Sequence, residues 1–303
     1  MKRLSRREFF RASTFVALGA VAAACAKKVP RVTRGQSLSQ IAGKQTLQMN
    51  TAGFEILSGK PDRLVFNLID PSNFAAVTVP TVTLWIAKDQ KSIATGPLTA
   101  TYRDAGLPAN KGFYEADLTI PTNGTWIVVA KAQRTGISAA DFAAAQFQVG
   151  PQNAMPKQGD HAIIVPSPTY ANHRGVNPIC TAKPQCSMHA ISLDDALKSA
   201  KPTVLIISTP QFCQSALCGP ETDVVQSISK DFTGRVHFVH VEVYRDNKAT
   251  TIQQQILSPA AQAWRLTEEP VIYYIDAVGV IKTRTIGPAD TAEVRAAAQA
   301  LLA

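Results

Sequence analysis

The chain has 303 residues, enough for two packed domains behind a leader, and its 46% hydrophobic content excludes a disordered polypeptide. The formal charge of +9 is concentrated at the start: without residues 1–24, 26 basic and 21 acidic residues remain. That remainder shows no basic run and no basic patch interleaved with aromatic residues, so no nucleic-acid partner is expected.

Residues 1–24 read as a signal peptide. Lys2, Arg3, Arg6, Arg7 and Arg11 come first, an apolar stretch follows over 12–24, and small residues close it. The stretch is too short to span a bilayer comfortably. Ser5-Arg6-Arg7-Glu8-Phe9-Phe10 resembles the twin-arginine motif of proteins exported already folded. Val21-Ala22-Ala23-Ala24-Cys25 resembles a lipobox, with Ala22 where that family usually has leucine. The resemblance implies lipidation of Cys25; cleavage at an ordinary signal-peptidase site is the alternative. Residues 25–45 are polar and unpatterned, as a flexible tether would be.

Residues 46–150 follow an all-β pattern. Strands are expected over 63–70, 81–87, 113–120, 125–132 and 144–149, with turn clusters at 70–73 and 121–124. Several short strands over about a hundred residues suggest a β-sandwich. Residues 112–118 and 124–129 resemble small immunoglobulin-like envelope domains, including the copper-resistance type. The segment has no histidine or cysteine, and Met49 is a lone methionine at its edge, so it lacks the clustered soft ligands of a copper site. Trp126 is read as a core anchor, and the domain as a structural or docking module.

Residues 151–191 are rich in proline and poor in periodicity, as linkers and functional loops are. They contain Cys180, Cys186 and His189. In an exported chain the plainest reading of two close cysteines is a local disulfide. The other reading adds His189 and makes a zinc or copper site, for which the sequence shows no evident fourth ligand. His161 and His173 are read as solvated.

The last segment, 192–303, alternates helix and strand. A short helix over 192–200 is capped by Ser192, with acids in its first turn. Residues 203–208 are continuously apolar, as a strand buried on both faces would be. Cys213 and Cys218 follow, then a helix from Pro220 to Phe232, a second central strand over 235–244, a hairpin of 271–275 and 280–286 around 276–279, and a last helix over 291–302. His237 and His240 fall on opposite faces of the second strand and read as packed core residues. This order resembles the thioredoxin superfamily. The resemblance implies that Pro270, after Glu269, is the family's cis-proline and that Cys213 is the first active-site cysteine. Four residues separate Cys213 from Cys218, where the family has two. An alternative register matches Cys218-Gly219-Pro220 to the family motif and puts Glu221 in place of the second cysteine.

The expected architecture is thus an α/β thioredoxin-like C-terminal domain behind an all-β immunoglobulin-like sandwich. The resemblance implies thiol–disulfide exchange on exported proteins or with a redox partner. Cys213 would be the nucleophile and Cys218 the resolving thiol, with Pro270, Phe212 and Glu269 about the substrate groove. Cys180 and Cys186 would relay electrons or staple the linker. No cofactor is called for, and the expected place is the cell envelope, at the outer face of the cytoplasmic membrane or in the periplasm, through the lipid on Cys25. A non-catalytic binding lipoprotein with structural disulfides is the alternative. A peroxiredoxin-like peroxidase lacks its proline and its threonine in register here. A copper-delivery protein of the Sco type lacks its histidine ahead of Pro270.

Overall fold

The computed structural model describes residues 35–52, 55–151, 154–213, 218–248, 251 and 254–303. The signal peptide, Cys25 and the first part of the expected tether lie outside the described residues, as do residues 214–217 between the two cysteines of the last segment. Residues Gln36–Ala303 make one compact unit. Within it an N-terminal β region is structurally distinct from a C-terminal mixed α/β region.

After the short helix α1 (Leu38–Ile41), the β region contains β1 (Gln48–Thr51), β2 (Pro61–Asp70), β3 (Ala75–Ala76), β4 (Thr81–Ala87), β5 (Thr95–Arg103), β6 (Phe113–Thr119), β7 (Gly124–Ala132) and β8 (Asp141–Val149). They pair in the order β1-β2-β6-β5-β4-β7-β8, with β3 beside β2. The sheet rolls until its outer strands meet. Thr46 and Leu47 N–H donate to the Phe142 carbonyl at 2.9 and 3.1 Å, and the Thr51 hydroxyl donates to the Gln146 carbonyl at 3.3 Å. Alternation then turns Leu64, Phe66 and Leu68 of β2 and Val82, Leu84 and Ile86 of β4 into one shared core. Trp126 is buried as expected, its indole N–H donating to the Thr122 carbonyl at 2.9 Å. The sequence reading misses β5, in which only Ala100 is buried, Gly96-Pro97 interrupts the pattern, and Thr95, Thr99 and Thr101 face solvent.

The α/β region follows a segment, from the end of β8 to α2 (Leu193–Lys198), whose described residues form no helix or strand. Its further elements are β9 (Thr203–Ser208), α3 (Cys218–Ser229) with a 3-10 turn (Lys230–Phe232), β10 (His237–Glu242), α4 (Pro259–Ala263), β11 (Val271–Ile275), β12 (Ile281–Ile286) and α5 (Thr291–Ala300). The sheet order is β10-β9-β11-β12, with β10 parallel to β9 and the other pairs antiparallel. Every residue of β9 is buried, as its continuous apolar run requires. Val204 and Ile206 pack with Val224, Val225 and Ile228 of α3 and Val294 of α5. Leu205 and Ile207 point the other way, toward Trp264, Val239 and Tyr273.

Three expectations are corrected. β10 is an edge strand, not a central one. Its edge is covered by the preceding proline-rich segment, whose Asn177 N–H donates to the Arg245 carbonyl at 2.8 Å and whose Met188 carbonyl accepts from His240 N–H at 3.0 Å. A covered edge buries both faces and so carries the apolar pattern of an interior strand. Helix α3 begins at Cys218, two residues before Pro220. Proline is tolerated there because first-turn N–H groups have no intrahelical acceptor. Ser192 does stand at the N-cap of α2, but its hydroxyl donates to the Ser167 carbonyl at 3.1 Å rather than capping the helix.

The two regions are joined by polar contacts, most of them part-buried. Arg63 of β2 pairs with Glu293 of α5 at 2.8 Å and donates to the Pro288 carbonyl. Glu55 pairs with Arg284 of β12, and Thr291 N–H donates to the Ala105 carbonyl at 3.0 Å. Among the described residues no helix is long and apolar enough to cross a membrane.

Candidate functional site

β9 ends at Ser208 and delivers the chain to a tight turn in which Cys213 N–H donates to the Thr209 carbonyl at 3.1 Å. The turn leaves Cys213 partly exposed, whereas Cys218, the first residue of α3, is fully buried. The backbone N–H of Cys218 points at the Cys213 sulfur at 3.4 Å. An N–H at a helix N-terminus carries the positive end of the helix dipole and favours a thiolate facing it. The two sulfurs and a Glu269 carboxylate oxygen all lie within 4.8 Å of one another, so the cysteines are close enough to form a disulfide.

The electrostatics of the group are uneven. The hydrogen bond with Cys213, burial and the charge of Glu269 together push the Cys218 thiol far up, so it holds its proton. Burial, followed by the charges of Cys213 and Glu242, pushes the Glu269 carboxyl up to about 8. One Glu269 oxygen, Oε2, is buried with no hydrogen bond among the described residues. Tyr244, pushed up to about 12 chiefly by burial, stands at this site with its ring edge-on to Phe212 at 6.5 Å. Glu221, the residue that the alternative register would set in place of a second cysteine, is buried and accepts Ala289 N–H at 2.8 Å, and burial pushes its carboxyl well above the usual range.

Cys213 and Glu269 open onto a cleft of about 850 Å³ between the two regions. Phe74, Phe113 and Asn110 of the β region line it together with Glu268 and Pro288. Of the three residues expected around a groove, Glu269 lines this cleft. Phe212 adjoins Cys213 in the chain and packs against Tyr244. Pro270 is buried just ahead of β11, and the Glu269–Pro270 peptide is cis.

A second group lies elsewhere in the α/β region. Cys180, Cys186, His189 and His240 are all buried, and one ligand atom from each falls within 4.8 Å of the others. The sequence reading brought the first three together and missed the fourth, taking His240 for core packing. The missed signal is the strand itself: His240 and Glu242 alternate with Val239, Val241 and Val243, and buried polar residues in such a strand need partners. Glu242 finds its own, accepting from the backbone and hydroxyl of Thr181 at 2.9 Å each. His161 and His173 are exposed, as expected.

No family model and no curated protein matches the chain. Among solved structures the chain is similar to a thioredoxin-family thiol:disulfide interchange protein from Chlorobium tepidum TLS, at 16% identity and a TM-score of 0.33, over 49% of this chain and 99% of that one. It is also similar to the PKD domain of an M14-like peptidase from Thermoplasmatales archaeon SCGC AB-540-F20, at 15% identity and a TM-score of 0.20, over 35% of this chain and 96% of that one. Likenesses this distant carry no argument about chemistry, which rests on the geometry above.

Proposed function

We propose that the chain is a thiol–disulfide oxidoreductase of the cell envelope, acting on exported proteins through Cys213 and Cys218. In this reading residues 192–303 are a thioredoxin-like domain and residues 46–150 an immunoglobulin-like module. A lipid on Cys25, after twin-arginine export, holds both at the membrane surface. The observation that carries the reading is the asymmetry of the pair: a partly exposed sulfur at a cleft, faced by a helix N-terminal N–H, beside a buried thiol and a carboxyl. An inert staple needs none of these features, and the partial exposure of Cys213 favours exchange over a purely structural bridge.

The chemistry follows from the roles. The Cys213 thiolate attacks one sulfur of a substrate disulfide; that S–S bond breaks, and the displaced substrate thiolate takes a proton from water. Cys218 then attacks the Cys213 sulfur and releases the second substrate thiolate. The proton that Cys218 loses passes to water or to Glu269, whose carboxylate oxygen lies within 4.8 Å of both sulfurs. Two electrons have passed to the substrate, and the enzyme holds a Cys213–Cys218 disulfide that a partner dithiol reduces. The reverse sequence oxidises a substrate dithiol. The β region's share of the cleft, through Phe74 and Phe113, supports a role in holding the substrate.

Trapping tests the assignment. The Cys218→Ser chain should accumulate a mixed disulfide with a disulfide-bearing unfolded protein, because the resolving thiol is gone. The Cys213→Ser chain should trap none. Equal trapping by both variants, or by neither, contradicts the proposed roles.

A further inference from the structure

We infer that Cys180, Cys186, His189 and His240 form a closed tetrahedral zinc site that pins the proline-rich segment to the edge of the α/β sheet. The inference does not depend on the exchange chemistry proposed above.

The spacing of the four ligand atoms is the first argument. With Zn–S near about 2.3 Å and Zn–N near about 2.05 Å, tetrahedral angles place two sulfurs about 3.8 Å apart, two nitrogens about 3.3 Å apart and unlike pairs about 3.6 Å apart. Here the sulfurs are 3.7 Å apart, and His189 Nε2 lies 3.1 Å from His240 Nδ1. His240 Nδ1 lies 3.3 Å from the Cys186 sulfur and 3.8 Å from that of Cys180. These four distances each lie close to the tetrahedral value around one small cation, and all four ligand atoms lie within 4.8 Å of one another.

The surroundings of His240 are the second argument. Its other nitrogen, Nε2, sits 3.1 Å from the Ser208 carbonyl and 3.0 Å from the Ser208 hydroxyl. A carbonyl only accepts, so the ring proton resides on Nε2 and the Nδ1 lone pair faces the two sulfurs and His189. Fixing a ligand's tautomer through its far nitrogen is the usual support of a metal-bound histidine. Without a cation, the Nδ1 lone pair meets two sulfurs and a second imidazole nitrogen in a dry pocket.

Charge and coordination select the metal. Two thiolates and two neutral imidazoles balance a dication, which leaves the buried group without net charge. Four protein ligands, each at most 2% exposed, leave no open position for water or substrate, as in structural zinc sites rather than catalytic ones. A mixed sulfur–nitrogen tetrahedron suits zinc among the common ions. The site also has something to hold: the described residues between β8 and α2 form no helix or strand, yet Ile179, Cys180, Cys186 and Met188 are buried in the core under α3. A cross-link to β10 supplies the order that regular structure does not.

The test uses the full chain, produced with zinc in the medium and purified under reducing conditions. Elemental analysis should find about one zinc per chain. The count should be unchanged in the Cys213→Ser/Cys218→Ser double variant and should fall at least about tenfold in His240→Ala. Should His240→Ala fail to fold, cobalt serves instead. Co(II) added to metal-free, reduced protein should give the visible bands of a tetrahedral site and a near-ultraviolet thiolate-to-cobalt band, both bleached by one equivalent of Zn(II). Absence of zinc from the folded, reduced chain together with no tetrahedral cobalt spectrum overturns the inference, as does loss of zinc in the double variant.

Discussion

The two cysteine groups of the α/β region use similar atoms under opposite conditions. Around Cys180 four ligands converge from a loop and an edge strand, and all are buried. Around Cys213 two sulfurs and one carboxylate converge at a helix start, and the first sulfur is open to a cleft between the two regions. In the proposed reading, closure makes the first group a brace and opening makes the second a reagent. The chain links the two groups closely: Thr181, next to Cys180, accepts Gln211 N–H at 3.1 Å, two residues before Cys213. On the proposed roles, this hydrogen bond ties the brace to the loop that carries Cys213.

The contrast should be widest in reactivity. In the reduced native protein, iodoacetamide should label Cys213 at least about 1,000-fold faster than Cys180 or Cys186, because reactivity follows thiolate character and access. Peptide mapping by mass spectrometry reads the ratio, and comparable rates at all three sites would erase the distinction between brace and reagent. Next in size is stability. Stripping the zinc should lower the thermal midpoint by more than about 10 °C, whereas Cys213→Ser should shift it by no more than about 2 °C. Calorimetry that shows equal shifts would assign both groups the same structural role.

The smallest effect concerns Glu269. Its folded carboxyl titrates near 8 against an ordinary value of 4.5, so the folded state holds the extra proton between those values. Stability contributed by that proton is complete below about pH 4.5 and is lost as pH rises through about 8. Glu269→Gln should flatten this slope and leave the variant more stable than the parent above pH 8, by on the order of 1 kcal/mol given the partial exposure of the site. Denaturant midpoints at pH 5, 7 and 9 check it, and an unchanged slope would remove Glu269 from the coupled group.

Local chemistry made much of this architecture readable in advance. The buried strand β9 announced itself as an unbroken apolar run, and the hairpin of β11 and β12 by its turn residues. The β2, β4, β6, β7 and β8 segments alternated enough to be found. β5 escaped because Gly96-Pro97 breaks its start and only Ala100 of its inward face is fully buried, with Leu98 and Tyr102 half-buried beside it. The Cys213 group was legible because chain order and spacing place it at a strand-to-helix junction. The Cys180 group was legible only in part. His240 stands 51 residues beyond His189, and no spacing rule connects them. They meet because β10 lies at the sheet edge and the proline-rich segment runs along it, a relation set by strand order rather than by local sequence.

The central claim is that the open pair is redox-active, and its reduction potential tests that most directly. Equilibration of the zinc-loaded chain against glutathione buffers, with Cys213→Ser as control, should place the Cys213–Cys218 couple between roughly −270 and −120 mV, the range of exchange enzymes. A value below about −300 mV would mark a structural disulfide and contradict the account.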